Sequence, residues 1–324
     1  MIATIINKAI VQGIPLLFGS TGEIITEKSG NLNLGIPGIM YMGGSAGVIG
    51  AYIYEQSTAS PSPFWCIVIP LLSSILGSFL AALIYSFLTI TLRANQNVTG
   101  LALTTFGVGF GDFFGGSLTK IMSGGGNLSV KLTADYYKTT LPFADSLGAI
   151  GKIFFSYGFL AYVAVIIAII ASWFLNRTRC GLHLRAIGEN PATADAAGIN
   201  VIKYKYIATC VGGIIAGLGG LYFIMDYTGG SWTNGGFGDR GWLAIALVIF
   251  ALWRPNVSIL GSFVFGGLYI AYSYISGLSR SAVAIFNMLP YVVTILVLIL
   301  TSVRNKKENH PPASLGLAYF REER

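Results

Sequence analysis

The sequence predicts an all-α, polytopic membrane protein of about eight to nine transmembrane helices, some of them broken or half-length. Three observations carry that expectation. The chain of 324 residues is 54% hydrophobic and only 10% charged, with a mean hydropathy of +0.69, whereas a soluble domain averages roughly 25% charged residues. Its apolar residues run on continuously, which argues against a porin-like barrel, whose strands alternate polar and apolar. Its 42 glycines suit helices that meet in lipid, where association rests on close packing rather than on the hydrophobic effect.

A spanning helix needs about 20 mostly apolar residues. Windows near 4–21, 34–53, 66–92, 97–117, 154–175, 206–227, 256–278 and 282–303 supply them. The window 242–253 is too short to cross alone and reads as a half-helix or one arm of a broken one. The organisation expected is a single transmembrane domain over 1–305, with a polar central loop at 176–205 and an external loop at 118–153. A cytoplasmic tail follows at 306–324.

Basic residues set the orientation, because cytoplasmic loops are enriched in Lys and Arg. Arg177, Arg179, Arg185, Lys203 and Lys205 flank the central loop, and Arg304, Lys306, Lys307, Arg321 and Arg324 mark the tail. Lys28, Arg93 and Arg254 join that side. Lys8, Lys120, Lys131, Lys138, Lys152, Arg240 and Arg280 make up the poorer side. The richer side is expected inside, with the central loop and the C-terminus, and the N-terminus outside.

The same pattern accounts for the net charge of +7 without nucleic acid. Cys66, Cys180 and Cys210 form no CxxC pair, and His183 and His310 lack partners at ligand spacing. Neither a disulfide framework nor a metal site is expected. No cleavable signal peptide is evident. No catalytic constellation stands out, and no GxxxxGK[ST] phosphate loop is present, so ATP hydrolysis would belong to a partner.

The central loop holds "NPATADAAG" at 190–198. Asn190 is a preferred N-cap, Pro191 suits the first helical position, and Ala192, Ala194, Ala196 and Ala197 are strong helix formers. Gly198 suits the left-handed residue that closes a helix. A helix of about two turns is too short to stand alone in water, so packing must hold it. Its alanine surface suits docking in a groove on a partner protein better than anchoring in the bilayer.

The stretch "GLHLRAIGENPATADAAGINVIKYKYIA" resembles the cytoplasmic coupling loop of permease subunits of bacterial ABC importers, in the branch that groups branched-chain amino acid, simple sugar and nucleoside permeases. "EKSGNLNLGIPGIMYMGG" at 27–44, "TLRANQNVTGLAL" at 91–103 and "GDRGWLAIALVIFALWRP" at 238–255 agree, and the last two look most like nucleoside-type permeases. Pro37 stands where a related "GxEG" stretch has an acidic residue. The resemblance implies a bacterial cytoplasmic membrane protein that carries no cofactor of its own. ATP-Mg would sit on a partner ATPase, beside a second homologous permease in a heterodimer and an extracellular substrate-binding lipoprotein. Carried over, Glu189, Asn190, Pro191, Ala192, Ala194, Ala197 and Gly198 would form the ATPase-coupling element.

Two glycine-rich interruptions, 29–38 and 228–241, point to the solute route, since irregular backbone at membrane depth must be buried or line a wet cavity. Asn31, Asn33 and Gly35 in the first, Asn95, Asn97 and Thr99 at the start of a span, and Trp232 and Asn234 in the second are the candidate pathway residues. Asparagine offers donors and an acceptor, and Trp232 and Phe237 offer stacking faces. These residues equally suit helix capping. Asp226, Asp239 and Arg240 are expected at a membrane interface. Asp112 is expected to pair with a base such as Lys120 or to form a cation or proton site. An ion-coupled secondary transporter and an ABC permease for a simple sugar or a branched-chain amino acid are the alternatives to a nucleoside importer.

Overall fold

With no water at membrane depth, backbone polar groups must pair within the segment, and the long apolar runs accordingly become helices. The computed structural model describes residues 2–118, 128–142, 144, 148–275, 279–304 and 310–321. Lys120, Lys306, Lys307 and Arg324, used above for orientation, lie outside the described residues.

The helices are α1 (Ile2–Glu27), α2 (Ile36–Ser57), α3 (Pro63–Ser86), α4 (Gln96–Gly111), α5 (Lys131–Tyr137), α6 (Gly148–Phe154), α7 (Phe159–Arg177), α8 (Arg179–Glu189), α9 (Pro191–Ala196), α10 (Val201–Tyr222), α11 (Arg240–Phe250), α12 (Pro255–Ile270) and α13 (Arg280–Arg304). Among the described residues, seven helices are long and apolar enough to cross a membrane: α1, α2, α3, α7, α10, α12 and α13. α4, prolonged by π-helical turns over Asp112–Leu118, and the short apolar α11 complete the set, in agreement with eight to nine membrane helices. α3 and α10 also end in π-helical turns, at Phe87–Thr91 and Phe223–Tyr227.

α1, α2 and α10 form the buried centre, and α3, α7, α12 and α13 turn most of their surface outward. Missing side chains set the central crossings. A Cβ on Gly43 would lie 2.6 Å from the Gly217 Cα, and one on Gly220 would lie 1.9 Å from the Met40 carbonyl oxygen. Backbone therefore meets backbone between α2 and α10, as expected where dispersion contacts replace the hydrophobic effect.

Two segments enter the bundle without crossing it. After α1 the chain turns back at Gly30, whose φ of +85° is the left-handed region glycine enters without a steric cost. Residues 31–35 then run back along the last turns of α1. α2 starts inside, with a Cβ on Gly38 set to meet the Leu103 carbonyl at 2.5 Å, which is seven residues or roughly 10 Å into α4. The second segment, 228–239, leads from α10 into α11. Pro37 at the start of α2 packs against Gly241 at the start of α11, where a Cβ would lie 2.4 Å from the Pro37 Cα. Pro37, the departure from the related stretch, thus seats the start of α2 on the start of α11.

Candidate functional site

The polar element of the central loop forms where its capping residues require. Thr178 Oγ1 accepts from Gly181 N at 3.0 Å to start α8, Asn190 Oδ1 accepts from Thr193 N at 3.0 Å to start α9, and Asn200 Oδ1 accepts from Lys203 N at 2.9 Å to start α10. Gly198 holds φ +83° and its N–H donates to the Asp195 carbonyl at 2.9 Å. Ala194 is buried against Ile187 and Val201, with Ile199, Tyr204 and Tyr319 alongside. Glu189, Asn190, Ala197 and Gly198 are exposed, and Pro191 and Ala192 are half-buried. The element thus stands on a small apolar foot and presents its caps and one alanine face outward.

The C-terminal segment 310–321 straps this element to the rest of the bundle. Ser314 N and Oγ donate to the Gly188 carbonyl at 2.9 and 2.6 Å. Gly316 N donates to the Gly30 carbonyl at 3.2 Å. Tyr319 Oη donates to Asp195 Oδ2 at 2.7 Å, where Arg321 Nε also approaches to 3.2 Å. A groove of about 870 Å³ opens beside α8, lined by Lys28, Asn176, Arg185, Glu189 and Arg254 among others. Burial holds the Lys28 ammonium below its usual range, while nearby Glu189 works in the opposite direction.

The candidate pathway residues fall into two groups, one at each end of the bundle. At the end that carries the strap, four helices grip the segment 31–35. Asn31 Nδ2 donates to Thr209 Oγ1 of α10 at 3.2 Å, and Leu32 N donates to Gln96 Oε1 of α4 at 2.7 Å. Tyr85 of α3 bonds the Leu32 carbonyl, Asn33 N donates to Glu23 Oε1 of α1 at 2.9 Å, and Thr104 Oγ1 donates to the Leu34 carbonyl at 2.8 Å. Asn33 Oδ1 also accepts from Gly35 N at 2.9 Å. Asn31 and Asn33 are buried, and each keeps one amide atom, Asn31 Oδ1 and Asn33 Nδ2, without a partner. Asn95 caps α4 through Val98 N at 3.1 Å. Asn97 is exposed and Thr99 buried.

At the opposite end, Trp232 and Asn234 sit against the glycines of the π-helical turns that prolong α4. The Trp232 ring lies where a Cβ on Gly115 would be 2.6 Å away, and Asn234 lies against Gly116. Trp232 Nε1 donates to Asn234 Oδ1 at 3.0 Å. Tyr41 packs edge-on against Trp232 and Phe237, with centroids 5.2 and 6.3 Å away. Its hydroxyl bonds Asp112 Oδ1 and accepts from Gly235 N at 2.9 Å. Asp112 thus has a tyrosine partner; Lys120, the base named from the sequence, lies outside the described residues. The enclosed space beneath, bordered by Met40, Tyr41, Phe223, Trp232 and Phe237, is only about 10 Å³. Little open space remains at this end, and the larger spaces lie at the other.

Among the described residues, several ionic groups are buried where the sequence gives no sign of it. Arg240, expected at an interface, is 5% exposed. Its guanidinium lies 4.5, 5.1 and 5.0 Å from the ring centroids of Phe223, Tyr227 and Tyr269, and it donates to Gln12 Oε1 and to the Phe237 carbonyl. Gln12 lies ten residues, roughly 15 Å, along α1, which places Arg240 well inside the bundle. Glu23 and Glu27 are also buried, one turn apart on α1. Glu27 accepts from Trp253 Nε1, whose residue, like Leu252, holds a left-handed φ at the end of α11.

This arrangement, a short capped helix on a strap and two irregular segments within the bundle, can be compared with known proteins. The family described as the permease component of the branched-chain amino acid transport system matches residues 5–298. The chain belongs to this permease family. Among curated relatives, the permease is 30% identical over 303 residues to the nucleoside ABC transporter permease protein NupC of Lactococcus lactis, covering 91% of each chain. It is 30% identical to the guanosine ABC transporter permease protein NupQ of Bacillus subtilis, covering 92% of each. It is 31% identical to the putative glucose ABC transporter permease protein TsgC13 of Haloferax volcanii, covering 82% of this chain and 75% of that one. The permease is a multi-pass transport subunit of the cell membrane, not an enzyme, and permeases of this kind associate with an ATPase and a substrate-binding protein.

Proposed function

We propose that this permease moves nucleosides inward across a bacterial cytoplasmic membrane. The element Glu189–Gly198 receives force from a separate ATPase that holds ATP-Mg. The observation that carries the reading is α9, a six-residue helix capped by Asn190, closed at Gly198 and footed on Ala194. A helix this short is marginal by itself in water, but here the strap and the apolar foot hold it, so a push on it reaches the loop at Gly30 and the buried segment 31–35. That segment and the aromatic mouth at Trp232 and Phe237 bound the solute route.

The names of two relatives favour a nucleoside, and the stacking faces of Tyr41, Trp232 and Phe237 suit a base. The name of the Haloferax volcanii relative favours a second reading, a sugar. A second, non-identical permease, an extracellular lipoprotein and a cytoplasmic C-terminus complete the assembly. The test is uptake of labelled guanosine by cells expressing the complete system. Unlabelled adenosine or guanosine should compete and glucose should not. Competition by glucose alone would transfer the assignment to sugars.

A further inference from the structure

A second basic site lies at the inner end, beside but separate from the coupling element. A cavity of about 140 Å³ opens between the end of α3, the turn before α4, the first turn of α10 and the C-terminal strap. Lys205, Arg93 and Arg321 line it together with Asn31, Thr89 and Gln96. Lys205 is 3% exposed. Among the described residues no carboxylate lines this cavity, and Lys205 makes no ion pair. Arg93 lies over the Phe320 ring at 4.7 Å, and Arg321 reaches the cavity while its Nε approaches Asp195.

Among the described residues this buried ammonium has no anion beside it, and such a group carries a desolvation cost. A bound anion would offset it. The volume equals that of about four or five water molecules at roughly 30 Å³ each, more than a single bridging water needs and sufficient for a tetrahedral oxyanion. Lysine acts as a point charge on phosphate, and arginine adds fork-like donors. Gln96 and Thr89 add polar atoms to the wall. Asn31 Oδ1, buried and unpartnered, belongs to an amide whose two ends are distinguished only through their hydrogen bonds. Turned over, it would accept from Thr209 and offer its NH₂ to the cavity.

We propose that this cavity binds a phosphate-bearing ligand, with Lys205 at its base and Arg93 and Arg321 at its rim. The phosphate has two sources: the head group of an anionic phospholipid or soluble phosphate. Basic pockets between helices on the cytoplasmic side are a recognised setting for anionic head groups, and exposed Ile202 in the wall offers an apolar neighbour for an acyl chain. The lipid arm depends on the inward orientation proposed above; the soluble arm does not, so its outcome is independent of the assigned transport function.

The experiment uses the full-length permease in phosphatidylcholine nanodiscs, with the thermal unfolding midpoint as readout. Phosphatidylglycerol is added to the discs in one arm and inorganic phosphate to the buffer in the other. A rise in midpoint with phosphatidylglycerol alone identifies a lipid head group, and a rise with inorganic phosphate identifies a soluble ligand. In either case Lys205→Met should weaken binding on the order of tenfold, about 1.4 kcal/mol. Lys205→Arg should retain it, and so should Lys203→Met, since Lys203 is exposed two residues away. If Lys205→Met does not fold, Lys205→Gln is judged by the same criterion. No shift with either ligand would overturn the proposal. So would equal shifts in wild type and the Lys205 variant, or an equal loss in Lys203→Met, because each would mark diffuse surface charge.

Discussion

Tyr319 donates its hydroxyl hydrogen to Asp195 Oδ2 at 2.7 Å, tying the end of the chain to the six-residue helix that follows Asn190. The two residues are 124 positions apart, so the contact closes a long loop across this end of the bundle. The buried Ser314 bonds at Gly188 and the Gly316 bond at Gly30 continue the same strap. Motion of α9 is thereby shared with the turn between α1 and α2.

Removing the tie should loosen α9 without unfolding the bundle. Tyr319→Phe should cost about 1 kcal/mol locally. Arg321→Ala should cost less, because its side chain is 69% exposed and exposed ion pairs contribute little. Hydrogen exchange of the amides at 191–199 is the measurement, with faster exchange in Tyr319→Phe than in Arg321→Ala. Equal protection in wild type and Tyr319→Phe would show that the strap does not hold the helix.

The caps of α9 should be needed for transport more than for assembly. Asn190→Ala removes an N-cap worth about 1 kcal/mol. Gly198→Val places a β-branched residue at φ +83°, where non-glycine residues lose roughly 1–2 kcal/mol. Gly198→Val is expected to abolish uptake while leaving the protein in the membrane. Uptake at wild-type rate, with ATPase binding unchanged, would remove this helix from the coupling mechanism.

At the end opposite the strap, Tyr41 joins α2 to Asp112, which follows α4, and to the backbone of Gly235. Tyr41→Phe deletes both bonds and keeps the ring. The mouth should then open more often. A cysteine at exposed Thr233, in a background where exposed Cys180 is serine, should react faster with a polar maleimide. An unchanged labelling rate would mean that Tyr41 only fills space.

Inside, Trp253→Phe leaves the buried Glu27 carboxylate without its indole donor and should cost about 1–3 kcal/mol, read as a lower thermal unfolding midpoint. Gly220→Ala should also destabilise by about 1–3 kcal/mol through overpacking, since its Cβ would lie 1.9 Å from the Met40 carbonyl. Gly109→Ala, whose Cβ meets nothing within 4 Å, should be neutral or favourable by up to about 1 kcal/mol from helix propensity. A thermal scan of the three variants separates them by sign.

Some of this was legible in the sequence and some was not, for physical reasons. Asn190, Pro191 and Gly198 act through the backbone within a few residues, so their identity alone locates α9. The apolar runs locate the helices for the same reason. Glu23 and Glu27 follow the 4–21 window and carry no signal of their own in the sequence; their contacts with Asn33 and Trp253 arise only in the fold. Arg240 was misplaced, since its ring neighbours Phe223 and Tyr269 come from two other elements. The segment 310–321 is short and carries no periodic signal, and its role rests on distant partners, the carbonyls of Gly30 and Gly188 and the Asp195 carboxylate. Asn31 and Asn33 were read as pathway residues, and the hydrogen bonds that hold them in place come from α1 and α10, which no local pattern reveals.

The most direct test of the account is site-specific cross-linking at Ala192, half-exposed on α9. Ala192→Cys is placed in the Cys180→Ser background and the permease is assembled with its ATPase. The account predicts that Ala192→Cys cross-links to the ATPase with a yield that changes when ATP is added, and that it resists an impermeant maleimide applied to intact cells. Labelling of that cysteine from outside intact cells, with no cross-link to the ATPase, would contradict it.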